Sequence, residues 1–194
     1  MKTLIDNILR TVALFTVVAA LGSCGKYQEI ADAAYPDQVV YMPAAASIYH
    51  LSGPGNVHDV PTPGHPYRFR IDRSAGKVTI PLGVVRGGIS KKGSVSIDLR
   101  SRPDTVNRLI DQHQLQAELL PAAAYAIPAT VTLADGNDIA SFDLTVDLQF
   151  VLDRPGQVFA LAVGISSKER ATNPKLETTI VVFSTDLFRE EATQ

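Results

Sequence analysis

The side chains able to do chemistry are few and scattered. His50, His58 and His65 share one proline-rich stretch, and His113 stands alone. Imidazole is a good zinc or copper ligand, but these spacings match no compact metal motif, and only Asp59 offers a nearby carboxylate. They read as solvated loop histidines, because isolated motif matches carry a high false-positive risk. Asp135, Asn137, Asp138, Asp143 and Asp147 hold the kind of oxygen that calcium takes. Asp143 and Asp147, however, alternate with Phe142, Leu144, Val146 and Leu148, which sends the carboxylates to solvent along a strand. Asp135-Gly136-Asn137-Asp138 reads as a tight hairpin turn. No Gly-x-Ser-x-Gly elbow occurs. Gly88 and Gly93 have phosphate-loop spacing, with Ser94 where lysine is required. The sequence nominates no catalytic residue, no metal site and no cofactor, which makes enzyme the weakest class. With no tryptophan, sugar stacking would fall to tyrosines such as Tyr41 and Tyr49, for which packing is the preferred role.

One residue does receive a chemical role. Cys24 is the only cysteine, and it follows an apolar run from Thr11 to Leu21 that begins after Lys2 and Arg10. A run of about eleven residues is too short to cross a bilayer, which needs about 20, and it fits a signal-peptide core. Leu21-Gly22-Ser23-Cys24 resembles a bacterial lipobox. Small residues there give a peptidase access to the backbone, and the thiol is the nucleophile that takes the diacylglyceryl group. The expected organisation is a signal peptide over 1–23, a lipid-anchored tether over 24–37, and one folded domain over 38–188. More than one acyl chain on Cys24 would satisfy the requirement for stable anchoring.

The elements that would position any site are strands. The chain is 45% hydrophobic with a net charge of -2, and no basic run exceeds Lys91-Lys92, which argues against nucleic-acid binding. Residues 43–66 read as a long loop, broken by Pro43, Pro54, Pro61, Pro63 and Pro66. Period-two alternation then dominates: Tyr67-Phe69-Ile71, Val78-Ile80-Leu82-Val84, Val95-Ile97-Leu99, Phe142 to Phe150 and Phe159 to Ile165. Thr179 to Phe183 is apolar on both faces and so should lie centrally. Pro103 followed by Val106, Leu109 and Ile110 predicts one short helix over 103–114. The expected fold is all-β: an immunoglobulin-like Greek-key sandwich of about seven to eight strands with one short helix.

The order of several motifs then points to a family. Val40-Tyr41-Met42-Pro43, Ile80-Pro81-Leu82-Gly83-Val84, Arg86-Gly87-Gly88, Val106-Asn107-Arg108-Leu109-Ile110, Leu119-Leu120-Pro121 with Tyr125, and Phe159 to Ile165 together resemble an immunoglobulin-like domain of unknown function. That family occurs in surface lipoproteins of Bacteroidota, often N-terminal to modules like family-18 glycoside hydrolases or to lectin-like modules. The resemblance covers roughly 38–184 and implies an outer-membrane address, admitting exposure at the cell surface, in a glycan-utilisation system. It carries over no catalytic residue. Of the family-18 acid motif, Asp135 and Asp138 match, but Ala140 and Phe142 replace the third Asp and the general-acid Glu. The expected function is that of a non-enzymatic accessory or binding component, with the membrane, a glycan or a surface protein as partner. The alternative is a structural spacer or adhesin-like subunit.

Overall fold

The computed structural model describes residues 38–53, 55, 62 and 65–193. The segments expected to be a signal peptide and a tether, with Cys24, lie outside the described residues. Twelve strands form two sheets of six. In the first, the order is β11 (Ala171–Thr172), β1 (Val39–Tyr41), β4 (Lys77–Gly87), β9 (Ile139–Asp147) and β7 (Tyr125–Ala126), with β3 (Arg70–Asp72) also against β4. In the second it is β2 (Tyr49–Leu51), β12 (Thr178–Ser184), β10 (Val158–Ser166), β5 (Val95–Ser101) and β8 (Thr130–Leu133), with β6 (Glu118–Leu119) also against β10. Three α-helices accompany them: α1 (Pro103–Asp111), α2 (Leu148–Leu152) and α3 (Thr185–Thr193).

Two long antiparallel ladders carry the architecture. β4 pairs with β9 from Lys77↔Asp147 to Val85↔Ile139, and β10 pairs with β12 from Val158↔Ser184 to Gly164↔Thr178. Their inward side chains, among them Ile80, Leu82, Leu144, Leu161 and Phe183, are buried in one core between the sheets. Truncating a side chain such as Leu144 to alanine there would cost about 2–5 kcal/mol.

A second, smaller core explains why β10 is apolar on both faces. Val106 of α1 and Leu115 just beyond it pack onto Ala160, Ala162 and Val182 on the outer face of the second sheet. The alanines let the helix approach closely. α1 starts at Pro103, as the sequence predicts, but ends at Asp111 rather than at 114. His113 adopts a left-handed φ of 56°, and its amide donates to the Ile110 carbonyl, which closes the helix.

Several expectations need correction. Among the described residues there are twelve strands rather than seven or eight, because β1, β2, β3, β6, β7 and β11 have only two or three residues each. Runs that short show no period and form only because a neighbouring strand supplies their hydrogen bonds, a long one in every case but β11, which pairs with β1. Four of them make three parallel pairings, β1 with β11, β2 with β12 and β6 with β10, so both sheets are mixed. The 43–66 stretch is not all loop, since it holds a 3-10 turn at Pro43–Ala46 and β2. Tyr67 and Phe69 precede β3 rather than forming part of it.

Among the described residues there are three α-helices, not one. Leu148 and Phe150 belong to α2 and not to a strand, because the Asp147 carboxylate accepts the Phe150 amide hydrogen at 2.6 Å and turns the chain into a helix. The outer face of β4 is also covered, with Thr79 buried and the Thr62 hydroxyl donating to the Pro81 carbonyl at 3.0 Å. Finally, Asp135-Gly136-Asn137 does not close a hairpin. It carries the chain from β8 in the second sheet to β9 in the first.

Candidate functional site

β4 runs the length of the sandwich and defines two ends. At its start, the four-residue turn from β3 to β4 is built on Asp72. The Asp72 carboxylate accepts from the Ser74 hydroxyl at 2.6 Å and the Ala75 amide at 2.9 Å. These bonds, the Ser74 hydroxyl first, hold the carboxyl below its ordinary value. Gly76 sits at φ 63°, a left-handed position that favours glycine, and its carbonyl accepts the Leu148 amide hydrogen at 2.9 Å.

Two hollows open beside this turn. One, of about 210 Å³, is floored by Ala123, Ala124 and Ala126, flanked by Tyr125, and rimmed by Lys77, Thr145 and Asp147. A 3-10 turn after Pro121 shapes the floor, and the Thr145 hydroxyl donates to the Ala126 carbonyl at 3.3 Å. Tyr125 is half-buried against the main core. The hollow is smaller than the roughly 300–1,000 Å³ of pockets that enclose drug-sized ligands, so it suits a single ring rather than an extended molecule. It offers one aromatic ring, a hydroxyl, a carboxylate and an ammonium group. The other hollow, of about 290 Å³, lies between Arg73, Gly76, α2 and Ala192 of α3.

At the opposite end, two loops cross between the sheets: β4 to β5, and β8 to β9. Arg86, only 4% exposed, ties them together. Its guanidinium donates to the carbonyls of Lys91, Lys92, Gly93, Leu133 and Ala134, at 2.7–3.4 Å. Its Nε is buried with no partner among the described residues. The Asp135 carboxylate accepts the Gly93 amide hydrogen at 2.5 Å, and Lys91 pairs with Asp138. Gln38 donates to the Lys92 carbonyl at 2.6 Å and accepts from Arg170 Nε at 2.8 Å.

The residues singled out from sequence remain apart. His50 is exposed on β2 and His113 sits in the turn after α1. The His65 ring meets Tyr67 edge-on at 4.4 Å, with a buried Nδ1 that finds no partner among the described residues. His58 and Asp59 lie outside the described residues. Asp143 and Asp147 face solvent as expected. Among the described residues no three His, Cys, Asp or Glu side chains come together. Tyr49 packs against the main core, and burial pushes its hydroxyl up to about 12. Arg86 and Tyr125 were visible in sequence as motif members, but nothing local marked one as a buried tie and the other as the flank of a hollow.

Residues 36–172 match the model of a family described as an N-terminal domain. The chain belongs to that family. No curated protein matches it. Among solved structures it is similar to a candidate carbohydrate binding protein from Bacteroides ovatus, at a TM-score of 0.53 and 12% identity, covering 75% of this chain and 36% of that one. It is also similar to an auxiliary nutrient binding protein from Bacteroides thetaiotaomicron (TM-score 0.46, 16% identity, 72% of this chain and 44% of that one). A third is the Bacteroides thetaiotaomicron protein EndoBT-3987 with its Man5GlcNAc product (TM-score 0.47, 12% identity, 75% and 30%). The chain spans about a third of the first of these, so the likeness is to one part of a larger protein, and the identities support fold alone.

Proposed function

We propose that this chain is a lipid-anchored, non-catalytic module of the cell envelope that serves a glycan-utilisation system. In this reading Cys24 carries the lipid, the outer membrane is the address, and the immunoglobulin-like sandwich holds a sugar-binding surface away from the anchor. The observation that carries it is the hollow beside Tyr125. An aromatic flank with a hydroxyl, a carboxylate and an ammonium group at its rim is the combination that holds a sugar ring, through stacking and a few directed hydrogen bonds. Membership of a family of N-terminal domains, and the shared fold with a candidate carbohydrate binding protein, support it further. Asp135 and Asp138, the two acids that match the family-18 motif, are held by the Gly93 amide and by Lys91, which favours binding over catalysis.

A glycan array with the full chain tests the binding. Retention of particular glycans, lost in Tyr125→Leu while the melting curve stays cooperative, is the expected result. If no glycan is retained and native pull-down instead recovers a protein bound through a sheet edge, the spacer or adhesin-like reading replaces this one. The anchor is tested separately. Cys24→Ala should abolish incorporation of labelled fatty acid and retention in the membrane fraction, and a variant that still fractionates with membranes overturns it.

A further inference from the structure

The end of the sandwich opposite the Tyr125 hollow has a surface that its own architecture does not explain. Among the described residues, the large apolar side chains left exposed are Ile89, at 75%, and Ile139, at 37%. Both lie at this end: Ile89 at the tip of the β4–β5 crossing loop, Ile139 at the first residue of β9, just past the other crossing. An isoleucine held at the tip of a loop gains nothing for the fold. Exposed apolar groups gathered in one place mark a contact surface.

The charges around them are arranged unevenly. Three carboxylates here are engaged within the protein: Asp135 by the Gly93 amide, Asp138 by Lys91, and Glu169 by the Ser96 amide at 3.2 Å. Asp98 lies farther along β5, beside Lys168 and Glu169 in a hollow of about 220 Å³. Arg170 is held by Gln38 and by the Glu169 carbonyl. The ammonium groups of Lys92 and Lys168, on exposed residues, make no bond among the described residues. Apolar tips with flanking lysines suit the interface of a bilayer, where the alkyl chain enters and the ammonium meets lipid phosphate.

The position of Gln38 selects the occupant. The chain coming from Cys24 joins the sandwich at Gln38, whose side chain bonds the Ile89 loop directly through the Lys92 carbonyl. Thirteen residues lie between Cys24 and Gln38, and a flexible linker of that length spans about 20 Å on average. β4 alone is about 35 Å long at the usual strand rise. An anchor tethered over that span and arriving at Gln38 brings the Ile89 end nearer the bilayer than the Tyr125 end.

We propose that this end seats on an anionic lipid surface, with Ile89 and Ile139 entering the interface and Lys92 and Lys168 meeting lipid phosphates. The seating rests on the lipid-anchor reading of Cys24. It fixes the orientation of the sandwich, so that the Gly76 turn and both of its hollows face outward.

The test uses the full lipidated chain in vesicles of phosphatidylcholine with a minority of phosphatidylglycerol. Once Cys24 is acylated its thiol is consumed, so Ile89→Cys carries a single free thiol for a polarity-sensitive dye. Ala122→Cys, exposed at the other end, is the reference. We expect blue-shifted emission at position 89, quenching by brominated lipid, and iodide quenching several-fold weaker than at position 122. Adding Lys92→Glu and Lys168→Glu should erase that difference. Equal iodide quenching at the two positions overturns the seating. Labelling of the unsubstituted chain would reveal a free Cys24 thiol, which is the separate failure of the anchor reading.

Discussion

The two ends of β4 are held by different kinds of bond. Around Arg86 the side-chain bonds join residues distant in sequence: Arg86 with Leu133, Gly93 with Asp135, and Gln38 with Arg170, separated by 47, 42 and 132 positions. Around Gly76 the turn and α2 are held by local bonds spanning two to four positions, as in Asp72 with Ser74, Asp147 with Phe150 and Gln149 with Asp153. Longer bonds, such as Arg154 with Thr185 and Leu152 with Arg189, bring α3 against them. A bond between distant residues can persist only while the whole fold is intact, so the Arg86 end should open with global unfolding. A local bond fixes one turn and leaves its surroundings free to open separately. The sandwich thus combines a tied end, where the chain from the proposed anchor arrives, with an end whose turn and α2 cap are built from local bonds and carry the hollows.

Substitution of Arg86 should give the largest effect. Arg86→Met strands carbonyls from two loops and removes bonds to a charged donor, which predicts a loss of about 3 kcal/mol or more in urea unfolding. A loss within about 0.5 kcal/mol would mean that the two ends are not differently tied. At the other end, Asp147→Ala removes the α2 cap and should cost about 1 kcal/mol. Its signature should be faster amide exchange in 148–152, with little change around 133–138. If exchange rises equally at both ends, the locally bonded end is not independent.

The two shifted groups give smaller, pH-dependent effects of opposite sign. The Tyr49 hydroxyl is raised, so the folded state favours its neutral form. Its contribution is complete below the unfolded value near pH 10 and is lost as pH rises towards about 12. Tyr49→Phe should flatten the stability profile in that alkaline window, as read by unfolding at fixed pH. The Asp72 carboxyl is lowered, so its contribution is complete above the unfolded value near pH 4 and is lost as pH falls through the folded one. Asp72→Asn should remove that acid dependence, with exchange at Ala75 and Gly76 as the readout. This is the smallest effect, because Asp72 is solvent-exposed.

The long ladders were legible because burial of one face imposes alternation, and β4, β5, β9 and β10 all show it in sequence. Phe150 misled because alternation continues through Leu148 and Phe150 while the Asp147 cap has already turned the chain. The Asp135-Gly136-Asn137 turn misled for a different reason. A tight turn has one sequence signature whether it joins strands of one sheet or passes between two, and only the partners of β8 and β9 distinguish the cases.

The sequence by itself determined the two-sided apolar character of β12, the start of α1 at Pro103, and Cys24 as the one candidate for lipid attachment. These depend on residue type and spacing within a few positions. Tertiary structure alone decided the short strands, the tie at Arg86 and the hollow at Tyr125. Each brings together groups distant in the chain. β2 exists because β12 offers it a ladder, and Arg86 can be buried because two crossing loops turn their carbonyls towards one guanidinium. Tyr125 flanks a hollow only because β7 pairs with β9 beside the Gly76 turn. Periodicity records which face is covered, but not which distant residue covers it.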